Sequence, residues 1–97
     1  MLTGKQKRYL RGLAVNERSV FQVGKEGLSY NLFNTVDDYL SVHELVKVSI
    51  LKNCDLEVRE AAIDLAANTS SEVVQIIGRV IVLYRPSKER KIVLPRD

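Results

Sequence analysis

Val20-Phe21-Gln22-Val23-Gly24-Lys25-Glu26-Gly27-Leu28-Ser29 joins a short apolar run, a glycine loop and a helix-capping serine. Val20 to Val23 has the β-branched and aromatic content of a buried strand. Ser29 is a good N-cap, so a helix starts there. Between them a lysine sits inside two glycines. Glycines let an anion approach the backbone, and the N–H groups at a helix start are unpaired and partly positive. A G-x-x-G run is also an ordinary tight turn, so these four residues leave both readings open.

The 97 residues are enough for one core and too few for two. No run approaches the roughly 18 apolar residues of a membrane span, and Met1-Leu2-Thr3-Gly4-Lys5-Gln6-Lys7-Arg8 leads into no apolar signal segment. The chain reads as soluble and cytoplasmic. One cysteine, Cys54, excludes an intrachain disulfide, and with one histidine, His43, it leaves no zinc-ligand spacing. No metal and no cofactor are expected. Net charge is +3, unevenly spread: residues 1–27 carry six Lys/Arg against two acids, residues 28–78 three against eight, and residues 79–97 six against two. If the fold joins the two basic ends, they make one positive face that attracts a polyanion.

Thr3 with Gln6 is a capping-box pattern, which predicts a first helix from about Gly4 to Ala14. Tyr9, Leu10 and Leu13 fall on its core side, with Lys7, Arg8 and Arg11 opposite and no acid among them. After the strand and loop, Leu28 and Phe33 are spaced as a hydrophobic staple. Leu32, Phe33, Val36 and Leu40 then carry the core face of a second helix to about Val42, with Tyr39 at its margin. His43-Glu44 closes that helix, and His43 has no catalytic partners in view. Leu45 to Leu51 alternates as a second strand, and Asn53-Cys54-Asp55 offers a cap for a third helix whose packing face is Val58, Ala61, Ala62, Leu65 and Ala66, ending near Asn68. Asp55, Glu57, Glu60 and Asp64 form its solvated face.

Glu72 to Ile77, Gly78-Arg79 and Val80 to Arg85 read as a hairpin with a type II′ turn. Both arms are continuously apolar, which predicts strands covered on both faces. Pro86 ends the last strand and leaves a basic tail, about 86–97, with one apolar patch. The fold class expected is therefore α/β (α+β), one domain over 1–97 in the order αβαβαββ. It has a four-stranded mixed sheet, parallel crossovers and an antiparallel strand added by the hairpin.

Four ordered blocks then resemble a known family: Leu2 to Ala14, Val23 to Leu28, His43 to Val48, and Gln75 to Arg79 with Leu83 to Ile92. They are similar to the bacterial YhbY-type proteins, the stand-alone form of the CRM (chloroplast RNA splicing and ribosome maturation) domain. The resemblance implies a sheet with three helices like the C-terminal domain of the third bacterial translation initiation factor. It also implies RNA binding, association with precursor large ribosomal subunits and, in plant relatives, intron splicing. The family's GxxG loop falls on Gly24, Lys25, Glu26 and Gly27. Glu26 departs from the basic or neutral residues common there, which shifts phosphate contact toward Lys25 and the basic helix.

The resulting expectation is a non-catalytic RNA-binding protein of ribosome assembly. Lys25 and the loop N–H groups would hold a phosphate, Lys5, Lys7, Arg8 and Arg11 would track its neighbours, and Arg85, Lys88, Arg90 and Lys91 would extend the surface. Few aromatics favour recognition of structured ribosomal RNA by shape and backbone. The rival reading is a docking module for an acidic ribosomal protein or assembly GTPase. A small phosphate-substrate enzyme has neither a nucleophile and base pair nor a Walker lysine to support it.

Overall fold

The first two helices start where the capping residues place them. In the computed structural model, which describes residues 2–96, Thr3 Oγ1 accepts from the Gln6 N–H and Gln6 Oε1 accepts from the Thr3 N–H, both at 3.1 Å. Ser29 Oγ likewise accepts from the Leu32 N–H at 3.1 Å. The elements are α1 (Gly4–Ala14), β1 (Ser19–Val23), α2 (Tyr30–His43), β2 (Leu45–Ile50), α3 (Val58–Thr69), β3 (Glu72–Ile77) and β4 (Val80–Tyr84). This is the expected order, with three helices on one mixed four-stranded sheet. Met1 and Asp97, the outermost residues of the domain read over 1–97, lie outside the described residues.

The strands lie side by side as β1-β2-β4-β3. β1 pairs β2 in parallel, and β4 is antiparallel to both β2 and β3. The most apolar strand, Val-Ile-Val-Leu-Tyr, thus takes a central place. Gly78 has φ +57°, and no other residue of its two-residue turn is left-handed, as a type II′ turn requires.

Because side chains alternate along a strand, the sheet has two apolar faces. Val46, Val48, Ile81 and Leu83 meet Val36 and Leu40 of α2 and Ala61, Ala62 and Leu65 of α3. On the other face Leu45, Val82, Tyr84 and Val74 meet Leu10 and Ala14 of α1. The tail completes that second layer: Ile92 and Leu94 pack on the same cluster, and Gln6 Nε2 donates to the Pro95 carbonyl at 3.2 Å.

Three local expectations are corrected. The third helix is not capped by Asn53 or Asp55; it begins at Val58 after Glu57, with no side-chain cap. Cys54 and Leu56 are used instead to fill the core, and the Cys54 N–H closes a turn on the Leu51 carbonyl. β3 is not covered on both faces: as an edge strand it leaves Ile76 37% and Ile77 54% exposed. The core side of α1 is narrower than its apolar residues suggest, since Leu10 and Ala14 are buried while Tyr9 is 43% and Leu13 36% exposed.

Candidate nucleic-acid interface

The loop at the carboxyl end of β1 is a turn closed by the Gly27 N–H on the Gly24 carbonyl at 3.0 Å. Neither Lys25 nor Glu26 has positive φ, so the turn is of type I, and Gly27 leaves it at φ +71°. Gly27 therefore serves the bend, and its N–H is already used. Among the described residues the N–H groups of Lys25 and Glu26 have no partner within the chain. Both side chains are exposed.

Two open depressions flank this loop, and they differ in charge. One, of about 400 Å³, is lined by Leu28, Cys54, Asp55, Leu56 and Asp64 as well as the loop, and its carboxylates repel an anion. The other, of about 430 Å³, is lined by Gln22, Val23, Ser29 and Leu32 with Gly24 to Gly27. Apart from Glu26 it carries no acid, so of the two it is the less repulsive to an anion.

On α1, Lys5, Arg8 and Arg11 are exposed and Lys7 is half-buried. Among the described residues none of them is in a salt bridge. The helix crosses the sheet with its start near β3, where the Leu2 N–H donates to Glu72 Oε1 at 3.2 Å. Its Gln6 and Leu13 flank faces the tail, through Pro95 and through a cavity shared with His43 and Ile92. Lys7 and Arg11 lie on the other flank.

The tail is anchored by a side chain whose role was not read from sequence. Glu44 ends α2 in the left-handed region, φ +68°, and is fully buried. Its Oε2 accepts from the Ser87 N–H at 2.9 Å, the Ser87 hydroxyl at 2.5 Å and the Lys91 N–H at 3.0 Å, and its Oε1 from the Ile92 N–H at 2.7 Å. Burial pushes this carboxyl up, but the Ser87 hydroxyl and the three backbone donors outweigh it, lowering the pKa from 4.5 to about 2. A glutamate after a helical run reads as an ordinary surface acid, so nothing local flags the latch.

Two residues assigned to the RNA surface are engaged within the fold. Arg85 is half-buried and pairs with the Asp37 carboxylate. It also donates to the Thr69 carbonyl at 2.6 Å, the Asp37 carbonyl at 2.9 Å and the Ser41 hydroxyl at 2.9 Å. It clasps α2 and α3 to the end of β4. Lys91 Nζ donates to the Val42 carbonyl in the last turn of α2 at 3.2 Å. Lys88 and Arg90 are exposed, but they follow β4, whose Tyr84 pairs with Leu45 at the start of β2. The Gly24 loop lies at the opposite end of the sheet. The fold does bring the tail beside α1, so the two chain ends share one face, while the loop and the tail cations stand a strand's length apart, about 17 Å.

Tyr39 packs against the core, edge-on to Phe21 at 5.4 Å and stacked on His43 at 4.1 Å. Among the described residues there is no cluster of three or more potential metal ligands, and no helix is long and apolar enough to cross a membrane.

The family model described as the CRS1 / YhbY (CRM) domain matches residues 2–85. The chain belongs to the CRM domain family. This CRM chain is 47% identical over 91 residues to the Bacillus subtilis protein named Probable RNA-binding protein YqeI, covering 94% of this chain and 95% of that one. A Haemophilus influenzae protein named RNA-binding protein is 40% identical over 96 residues, 98% of this chain and 96% of that one. The solution structure of SAV1595 from Staphylococcus aureus, a protein proposed to bind RNA, superimposes with a TM-score of 0.83 at 52% identity. It covers 98% of this CRM domain and all of the other chain (100%).

Proposed function

We propose that this protein binds RNA without catalysing a reaction on it, and that its target is ribosomal RNA of precursor large subunits in the cytosol. The observation that carries the reading is the acid-free outer side of α1, where Lys5, Lys7, Arg8 and Arg11 form no ion pair among the described residues, in a CRM domain whose relatives are named for RNA binding. In this reading Lys25 and the unpartnered N–H groups of Lys25 and Glu26 take a backbone phosphate, and the α1 cations take its neighbours. Lys88 and Arg90 extend the contact at the far end of the sheet, and Arg85 acts in folding rather than in binding. The ribosome-assembly role follows from the family resemblance of the four sequence blocks.

Fluorescence anisotropy on a structured ribosomal RNA fragment and a matched DNA duplex, across salt concentrations, tests this. The expected result is a preference for RNA that survives rising salt and is weakened several-fold by Lys25→Ala. Equal binding to both nucleic acids, indifferent to Lys25, would leave only a generic positive surface. Purified precursor-particle complexes that persist after complete RNA digestion would favour docking on a protein instead.

A further inference from the structure

α1 covers only one end of its sheet face. Strand pairing sets Leu45, Tyr84 and Glu72 in one row, Lys47, Val82 and Gln75 in the next, and Gln22, Ser49, Val80 and Ile77 in a third. The first row lies under α1, with Leu45 and Tyr84 buried, and so does Val82 of the second. In the third row Gln22 and Ile77 are exposed. Ser49 and Val80 are only half-buried although β2 and β4 are the central strands. A central strand keeps such exposure only where nothing lies over it.

This uncovered floor is bordered by cations. Lys47 stands at its α1 edge, in the row it shares with the buried Val82, half-buried and outside any salt bridge among the described residues. Lys7 and Arg11 stand on the flank of α1 turned toward it. The second and third rows hold no acid; Glu72 belongs to the first row, where it accepts from the Leu2 N–H. Gln22 also lines the acid-poor depression of the Gly24 loop, so floor and loop are continuous.

We propose that an unpaired RNA segment lies across this open sheet. Its phosphates are held by Lys47 from below and by Lys7 and Arg11 from the α1 wall, and it runs past Gln22 to the Gly24–Gly27 loop. The proposal rests on the RNA-binding reading and says where the strand runs. Charge selects a polyanion over a protein partner, because three cations without a counter-charge repel one another until an anion arrives. The α1 wall favours a single strand, since a paired A-form helix is too wide to lower its phosphates onto Lys47 beside it. The amide of Gln22 and the hydroxyl of Ser49 offer hydrogen bonds to base edges or 2′-hydroxyls, and Ile77 and Val80 offer aliphatic contact in place of aromatic stacking.

The test uses the full chain with two probes, a 12-nucleotide oligouridine and a fully paired RNA hairpin, and the variants Lys47→Gln, Gln22→Glu, Lys25→Ala and, on the far side of the molecule, Arg59→Gln. Lys47→Gln is expected to weaken oligouridine binding several-fold and to reduce its salt slope by about 0.7. Gln22→Glu weakens it further by adding a negative charge to the floor, and Arg59→Gln leaves it unchanged. In the native protein, oligouridine is expected to shift the amide resonances of Gln22, Lys47, Ser49 and Ile77. If Lys25→Ala weakens binding while Lys47→Gln and Gln22→Glu do not, the sheet track is refuted and the RNA-binding reading stands. If the hairpin binds more tightly and shifts only loop and α1 resonances, the track is likewise refuted. If neither probe binds the native protein, both fail.

Discussion

Replacing Glu44 by glutamine removes a charge from the centre of four hydrogen bonds while leaving the shape nearly unchanged. Glutamine has one acceptor oxygen where the carboxylate has two, so its NH₂ must face either the Ile92 N–H or the three Ser87 and Lys91 donors. The native pKa of about 2, against 4.5 for an unperturbed carboxyl, corresponds by linkage to about 3 kcal/mol. Since one neutral acceptor survives, Glu44→Gln should cost about 2–3 kcal/mol. The folded pKa is the lower one, so the contribution is complete above the unfolded value of 4.5 and disappears as pH falls toward about 2. The two proteins should therefore differ most at neutral pH and converge in acid. Urea unfolding at pH 7 and pH 3 measures this, with hydrogen exchange at Ser87, Lys91 and Ile92 reporting whether the tail is released. A loss under about 0.5 kcal/mol at pH 7, with those amides still protected, would refute the latch.

Arg85→Ala should destabilise the fold by about 2 kcal/mol, because it removes a half-buried clasp between α2, α3 and β4 and leaves the Thr69 carbonyl without its donor; thermal unfolding and RNA affinity measured together should show lost stability with binding intact in the folded fraction. Leu10→Ala, at a fully buried contact between α1 and the sheet, should cost about 3 kcal/mol by urea titration. Thr3→Ala breaks the capping box and should cost about 1 kcal/mol, seen as faster amide exchange in the first turn of α1. Gly27→Asp meets no clash, the nearest side-chain atom lying 3.7 Å from a new Cβ. It adds a negative charge beside Lys25 at about 1–2 kcal/mol of backbone strain, so it should fold yet bind RNA several-fold more weakly.

The starts of α1 and α2 were legible because a cap is a local event, whereas that of α3, which has no side-chain cap, was not. Thr3, Gln6 and Ser29 make bonds within three residues, and their sequence pattern and geometry agree. The hairpin was legible for the same reason, through Gly78. Coverage was not. β3 carries Glu72 and Gln75, but its Val-Val and Ile-Ile pairs read as core residues beside those of β4, and only strand order tells that one strand is central and the other an edge. Glu44 and Arg85 escaped because their partners lie 16–48 residues away in sequence, those of Arg85 on two separate helices. Lys47 was within reach: Leu45-Lys47-Ser49 against Val46-Val48-Ile50 already separates a polar from an apolar side of β2. Its weight depended on seeing how little of that side α1 covers.

The place of β4 between β2 and β3 sets a condition on synthesis. A chain made from its amino end presents β1, β2 and β3 before the strand that joins them exists. Until Tyr84 emerges, β1 and β2 form a lone parallel pair, β3 has no neighbour, and α1 lacks the Val82 and Tyr84 side chains on which Leu10 rests. The last strand thus acts as the keystone, with folding dominated by contacts between distant parts of the chain and gathered into a late, cooperative step.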